Sequence, residues 1–116
     1  MNRDDYLQMI KANEGVLIFK FTATWCTPCN AIKSQVAKEV AVLPPHIKFV
    51  EIDVDKHDDV YACMRSKKQV IGIPALLAYK RGNDTLYADH CITGSNPLHI
   101  AQFFQKVQEK KITPPS

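Results

Sequence analysis
The sequence lacks any apolar run near the ~20 residues that a bilayer-spanning helix requires, so no membrane partner is expected. Its N-terminal stretch, MNRDDYLQMIKANEG, is polar and acidic from Asp4 on, without the apolar core and cleavage site of a secretory signal. A cytoplasmic location is expected on that ground. Internal repeats, low-complexity segments and linkers are absent, and only the C-terminal KKITPPS has the composition of a disordered tail. One domain over residues 1–116, with 109–116 as its tail, is the expected organisation. Charge of one sign is not concentrated either. The net charge is +3, and the densest basic clusters, RSKK (Arg65–Lys68) and KVQEKK (Lys106–Lys111), read as solvated faces rather than a nucleic-acid surface. Four cysteines without an export signal do not describe a disulfide scaffold. In a reducing compartment, two close cysteines more often serve catalysis or metal binding.

What is present is ordinary for a soluble globular domain, at 46% hydrophobic and 23% charged residues. Asp4 or Asp5 is expected to cap a first helix reaching about Asn13, with Leu7, Ile10 and Tyr6 inward and a stop near Gly15. VLIFKFTA (Val16–Ala23) is a near-continuous apolar run of strand length, the pattern of a strand covered on both faces. Ile32, Val36, Val40 and Leu43 then recur at helical spacing until Pro44-Pro45. IKFVEID predicts a second strand, DKHDDVYACMRSKK a charged helix, IPALLAY a third strand and TLYADHCIT a fourth. Asn96-Pro97 opens a last helix whose expected inward stripe is Leu98, Ala101, Phe104 and Val107, with Ile100 and Phe103 beside it. The order α-β-α-β-α-β-β-α implies parallel pairing first and an antiparallel hairpin last.

Cys26 and Cys29 lie where the first strand gives way to a helix. At a helix N-terminus, free N–H groups and the positive end of the macrodipole favour a thiolate, which is the nucleophile of disulfide exchange. A second cysteine one turn on can then resolve the mixed disulfide. Two other readings stand beside this one. A zinc site needs a second ligand pair, whereas Cys63 and Cys91 are isolated and His57 and His90 lack pair spacing. Two inert core thiols would leave the neighbouring Trp, Pro and helix start as coincidence.

The stretch FTATWCTPC, with Trp25 before the pair and Pro28 before its second cysteine, resembles the active-site segment of the thioredoxin family. VIGIPALLAYKRG (Val70–Gly82) resembles that family's second signature, and Gly94 falls where the family has a glycine after its last strand. The resemblance runs over about residues 4 to 108. It implies a thioredoxin fold: α/β, with a central mixed sheet flanked by helices, here of four strands because little chain precedes the first helix. It also implies protein thiol–disulfide exchange, with Cys26 the exposed nucleophile and Cys29 the buried resolving thiol. Pro74 would follow a cis bond, the alternative being a plain strand-entry proline. Trp25, Thr27, Pro28, Ile73, Pro74, Thr93 and Gly94 would line a shallow groove where a substrate backbone pairs at Ile73. The implied partners are protein disulfides and an electron donor of the thioredoxin-reductase type, with the protein a monomer; no metal or organic cofactor is implied.

The sequence also departs from the family pattern. Lys20, six residues before Cys26, stands where the family usually has a buried aspartate, and Glu51 stands where many members have a lysine. A Lys20–Glu51 pair with exchanged signs is expected to tune the cysteines and their proton transfer, unless Lys20 snorkels to the surface. Thr27 replaces the usual glycine between the cysteines. Ser34 replaces a kinking proline, which predicts a straighter helix. The segment around Met64–Lys68 is longer than usual, lengthening a helix or loop near Pro74. Cys63 is expected in packing and Cys91 on an exposed edge strand. Two alternatives to a reductase remain: an accessory binding module whose cysteine pair is vestigial, and a more oxidising disulfide oxidase or isomerase.

Overall fold
The computed structural model describes residues 1–109, so the expected tail lies, apart from Glu109, outside the described residues. The first helix, α1 (Arg3–Lys11), is capped by Asn2 rather than by either aspartate. The Asn2 side chain accepts the Asp5 N–H and the Asp5 carboxylate accepts the Asn2 N–H, a reciprocal capping box. Tyr6 and Ile10 are buried on this helix, and Leu7 is half-buried.

The strand β1 (Val16–Thr22) is the predicted apolar run, and β2 (Ile47–Asp53), β3 (Ala75–Lys80) and β4 (His90–Thr93) complete a four-stranded sheet in the order β2-β1-β3-β4. β1 pairs parallel to β2 and antiparallel to β3, and β4 is antiparallel to β3, as the element order implied. Because side chains alternate along a strand, β1 and β3 feed two cores. Leu17, Phe19, Phe21, Leu77 and Tyr79 meet Tyr6 and Ile10 of α1 and Val60 and Met64 of α4 (Asp58–Ser66). Ile18, Leu76 and Ala78 meet Ile32, Val36 and the last helix, α5 (Pro97–Gln108). The buried stripe of α5 is Ile100, Phe103, Phe104 and Val107; Leu98 faces solvent, contrary to expectation.

The expected straight second helix is instead two helices, α2 (Thr27–Ala31) and α3 (Lys33–Ala41), divided at Ile32. No proline is needed for the break. The Ile32 N–H bonds back to the Cys29 carbonyl at 3.3 Å, an i→i−3 turn, where the chain passes from one core to the other. The fourth strand is also shorter than predicted. Over residues 83–89, side chains take the hydrogen bonds a ladder would have used: the Asp89 carboxylate accepts the Lys80 N–H at 2.7 Å, and Asn83 Oδ1 accepts the Thr85 N–H at 2.9 Å. α4 ends at Ser66, and the long segment after it turns through Lys68 at φ 56°. Gln69 then fixes this turn to the 83–89 loop by accepting the Ala88 N–H at 2.9 Å.

Gly15 joins α1 to β1 where the His46 carbonyl accepts the Val16 N–H at 2.9 Å. A Cβ on Gly15 would overlap that carbonyl oxygen and stand 2.9 Å from its carbon. Gly15→Ala is therefore expected to cost ~1–3 kcal/mol, read as a lower urea midpoint; an unchanged midpoint would show that this junction yields freely.

Candidate active site
After β1 the chain turns through Ala23–Trp25, and Cys26 becomes the N-cap of α2 with φ −87° and ψ 106°. Its Sγ accepts the Cys29 N–H at 3.2 Å. Pro28 sits in the first turn, where a backbone N–H has no intrahelical acceptor to lose. Cys26 and Cys29 are joined as a disulfide with their Cα atoms 5.2 Å apart. Both are buried, Cys26 at 4% exposure and Cys29 at 1%. The expectation of an exposed Cys26 is thus corrected for the oxidised pair. Its sulfur is bonded to Cys29 on one side and lies 3.9 Å from the Ile73 carbonyl oxygen on another. An N–H donor aimed at Sγ, as the Cys29 N–H is here, favours the thiolate form of a cysteine at a helix N-terminus.

The Ile73–Pro74 bond is cis. Pro74 is buried and Ile73 half-buried at the entry to β3, where Ala75 pairs with Thr93. The Pro74 carbonyl accepts the Gly94 N–H at 2.9 Å, and Gly94 has φ 107°, a conformation that suits glycine. Ile73, Pro74, Thr93 and Gly94 are therefore brought together at one end of the sheet, with Ile73 against Cys26. Trp25, Thr27 and Pro28 flank Cys26 along the chain and are exposed.

Two neighbours of this surface escaped the sequence reading. Asp55 Oδ2 accepts the Trp25 indole N–H at 2.8 Å, holding a ring that is 66% exposed. The only trace of it in sequence is the acidic run after β2. Ile71, 71% exposed, stands two residues before Ile73; an apolar residue in the loop before GIP was its signal.

Lys20 is the one charged side chain buried in the core among the described residues, at 2% exposure. It does not snorkel. Its register partners are Glu51 on β2 and Leu76 on β3, and its Nζ lies 3.5 Å from Glu51 Oε2, whose side chain is 54% exposed. A buried ammonium loses hydration worth several kcal/mol unless an anion meets it, which explains the pairing. Lys20, Glu51 and Cys29 line one cavity of about 80 Å³, together with Asn30, Lys33 and Asp53. Cys63 is buried on α4 and Cys91 is exposed on the edge strand β4. Among the described residues, no three His, Cys, Asp or Glu side chains converge to hold a metal ion, and no helix is long and apolar enough to cross a membrane.

Residues 1–108 match the family model described as Thioredoxin. The chain is 32% identical over 91 residues to Thioredoxin-1 of Saccharomyces cerevisiae, covering 78% of this chain and 80% of that protein. It is 34% identical over 91 residues to Thioredoxin-1 of Caenorhabditis elegans, covering 78% and 75% respectively. Among solved structures, oxidised mitochondrial thioredoxin 3 of S. cerevisiae aligns with a TM-score of 0.71 at 26% identity, covering 90% of each chain. The thioredoxin of Fasciola hepatica aligns with a TM-score of 0.73 at 23% identity, over 92% of this chain and 95% of that one, and supports the fold. With the match spanning nearly every described residue and the cysteine pair closed as a disulfide at the start of α2, this protein belongs to the thioredoxin family of thiol–disulfide oxidoreductases.

Proposed function
We propose that the protein reduces disulfides of other proteins, with Cys26 as the attacking thiolate and Cys29 as the resolving one. Cys26 attacks one sulfur of the target disulfide, and the other leaves as a thiolate that takes up a proton. Cys29, deprotonated, then attacks Cys26 Sγ, which releases the second target thiolate and closes the disulfide seen in this structure. Two electrons pass to the target, and a reductase of the thioredoxin-reductase type returns them. Ile73 and Pro74, with Thr93 and Gly94, offer the backbone edge on which a target strand docks, while Trp25, Thr27 and Pro28 form the opposing lip. A cytoplasmic setting, where thiols are kept reduced, suits this direction of exchange. The observation that carries the reading is Cys26 at the N-cap, its sulfur accepting the Cys29 N–H.

Reduction of insulin by dithiothreitol is expected to accelerate in the presence of the protein, and Cys26→Ser to return it to the uncatalysed rate. Equal rates with both proteins would leave the accessory-module reading in its place. One observation favours a more oxidising role, the buried ammonium of Lys20. A reduction potential measured against glutathione decides between the two directions.

A further inference from the structure
The cavity lined by Lys20, Glu51 and Cys29 has about 80 Å³ of space, more than the ~10–15 Å³ that one water needs. It lies where the resolving thiol must lose its proton. Cys29 is 1% exposed, so that proton cannot pass straight to bulk solvent from the sulfur. Four charged groups face the cavity. Lys20 is almost wholly buried and held by Glu51; Lys33, at the start of α3, is exposed, and Asp53, at the end of β2, is half-buried. Glu51 combines a contact with the buried ammonium and a half-exposed carboxylate. An ammonium has no lone pair with which to accept a proton, whereas a carboxylate accepts one and can release it to solvent.

We propose that this cavity is the proton outlet of the redox pair: Lys20 is a positioning cation that stabilises the Cys29 thiolate, and Glu51 at the rim takes the proton the thiol releases. The inference rests on Cys29 being the resolving cysteine. In the balanced step, the Cys29 S–H bond breaks and its proton goes to the Glu51 carboxylate through solvent in the cavity. The sulfur's electron pair forms the bond to Cys26, and the mixed-disulfide bond breaks toward the departing thiolate. The proton then leaves Glu51 for bulk solvent. A fixed positive charge beside the pair favours the ionised dithiol over the neutral disulfide, and so makes the pair more oxidising.

Two readouts separate this role from a merely structural ion pair. The first is the dithiol–disulfide equilibrium with glutathione. Lys20→Met should move it about tenfold toward the disulfide, ~30 mV. Glu51→Gln, which removes the carboxylate paired with the cation, should move it severalfold the other way. Lys48→Met, an equal loss of charge on the exposed side of β2, should leave it unchanged. The second is the reaction of the reduced protein with dithiobis(nitrobenzoate), whose two thiolates leave on attack by Cys26 and then by Cys29. Both Lys20→Met and Glu51→Gln should slow the second release severalfold while sparing the first, and Lys20→Met should shift its pH profile upward. Slower resolution in Glu51→Gln, although its thiolates are favoured, is the signature of a lost proton acceptor. An equilibrium within twofold of the parent in Lys20→Met, or an unslowed second release in Glu51→Gln, overturns the proposal. Lys20→Met replaces a buried cation with an apolar chain of similar length, so it decides alone if Glu51→Gln fails to fold. Neither readout uses a protein substrate, so failure of insulin reduction with these effects intact would sink the proposed function and not this inference.

Discussion

Cys29→Ser is expected to turn the protein from a turnover catalyst into a trap. Serine keeps the backbone N–H that Cys26 Sγ accepts at 3.2 Å and removes only the sulfur that resolves the mixed disulfide. Escape then depends on an external thiol at millimolar concentration. Well-oriented intramolecular groups reach effective molarities of roughly 10⁵ M, and a small part of that advantage already exceeds any soluble thiol. Turnover of a protein disulfide should therefore fall by at least ~10³-fold, while the first attack by Cys26 proceeds. The species to look for, by non-reducing electrophoresis and mass spectrometry, is Cys26 joined to one substrate cysteine. An empty trap, with Cys29→Ser forming no adduct on insulin, would remove Cys26 from the nucleophile's role.

The largest effect on stability is expected from Phe19→Ala. β1 is an inner strand, paired along its length with β2 and β3, and Phe19 is fully buried on it. Its ring centroid lies 4.2 Å from that of Tyr6 and 5.8 Å from that of Tyr79, the latter edge-on. The two tyrosine hydroxyls meet at 3.2 Å, and Tyr79 donates to the Leu86 carbonyl at 2.7 Å, so this core has polar anchors that resist collapse into a void. Burial pushes both phenols well above the usual tyrosine range, consistent with a dry surrounding. Truncation should cost ~3–5 kcal/mol, against a total of ~5–15 for a domain of this kind. At about 4 °C per kcal/mol, the melting midpoint falls by ~12–20 °C. The folded fraction should keep the parent's equilibrium with glutathione, since Phe19 does not line the cavity beside Cys29. A stability loss under ~1 kcal/mol would show that α1 closes over the gap.

What was legible in the sequence was whatever depends on neighbours along the chain. The run Val16–Ala23 is apolar because the strand it forms is covered on both faces, and the switch to helical spacing after Cys29 put the cysteine pair at a helix start. Asn96-Pro97 marked the start of α5 through proline's fixed φ and missing N–H. The loop before Ala75 and Gly94 were legible only by resemblance. Local signals also misled where side chains compete for backbone hydrogen bonds. Asn2 displaced two aspartates as cap because Asp5 was needed for the reciprocal bond, and Asp89 and Asn83 shortened β4 by accepting the Lys80 and Thr85 N–H groups. The break at Ile32 came without proline, from the passage of the chain between two cores.

Signals local to the chain were enough for the element order, apart from the division of the second helix at Ile32, for the sheet's mixed character and for the identity and spacing of the cysteine pair, since each follows from periodicity, proline and glycine acting within a few residues. Which side chains meet was settled by the packing of segments far apart in the chain. The parallel register of β1 on β2 sets Lys20 beside Glu51, 31 positions apart in the chain, and the turn after β2 brings Asp55 to Trp25. Packing leaves Glu51 half in solvent and buries Lys20 in the wall of the cavity that Cys29 also lines. These are contacts between segments distant in sequence, fixed when two faces of one sheet are covered at once.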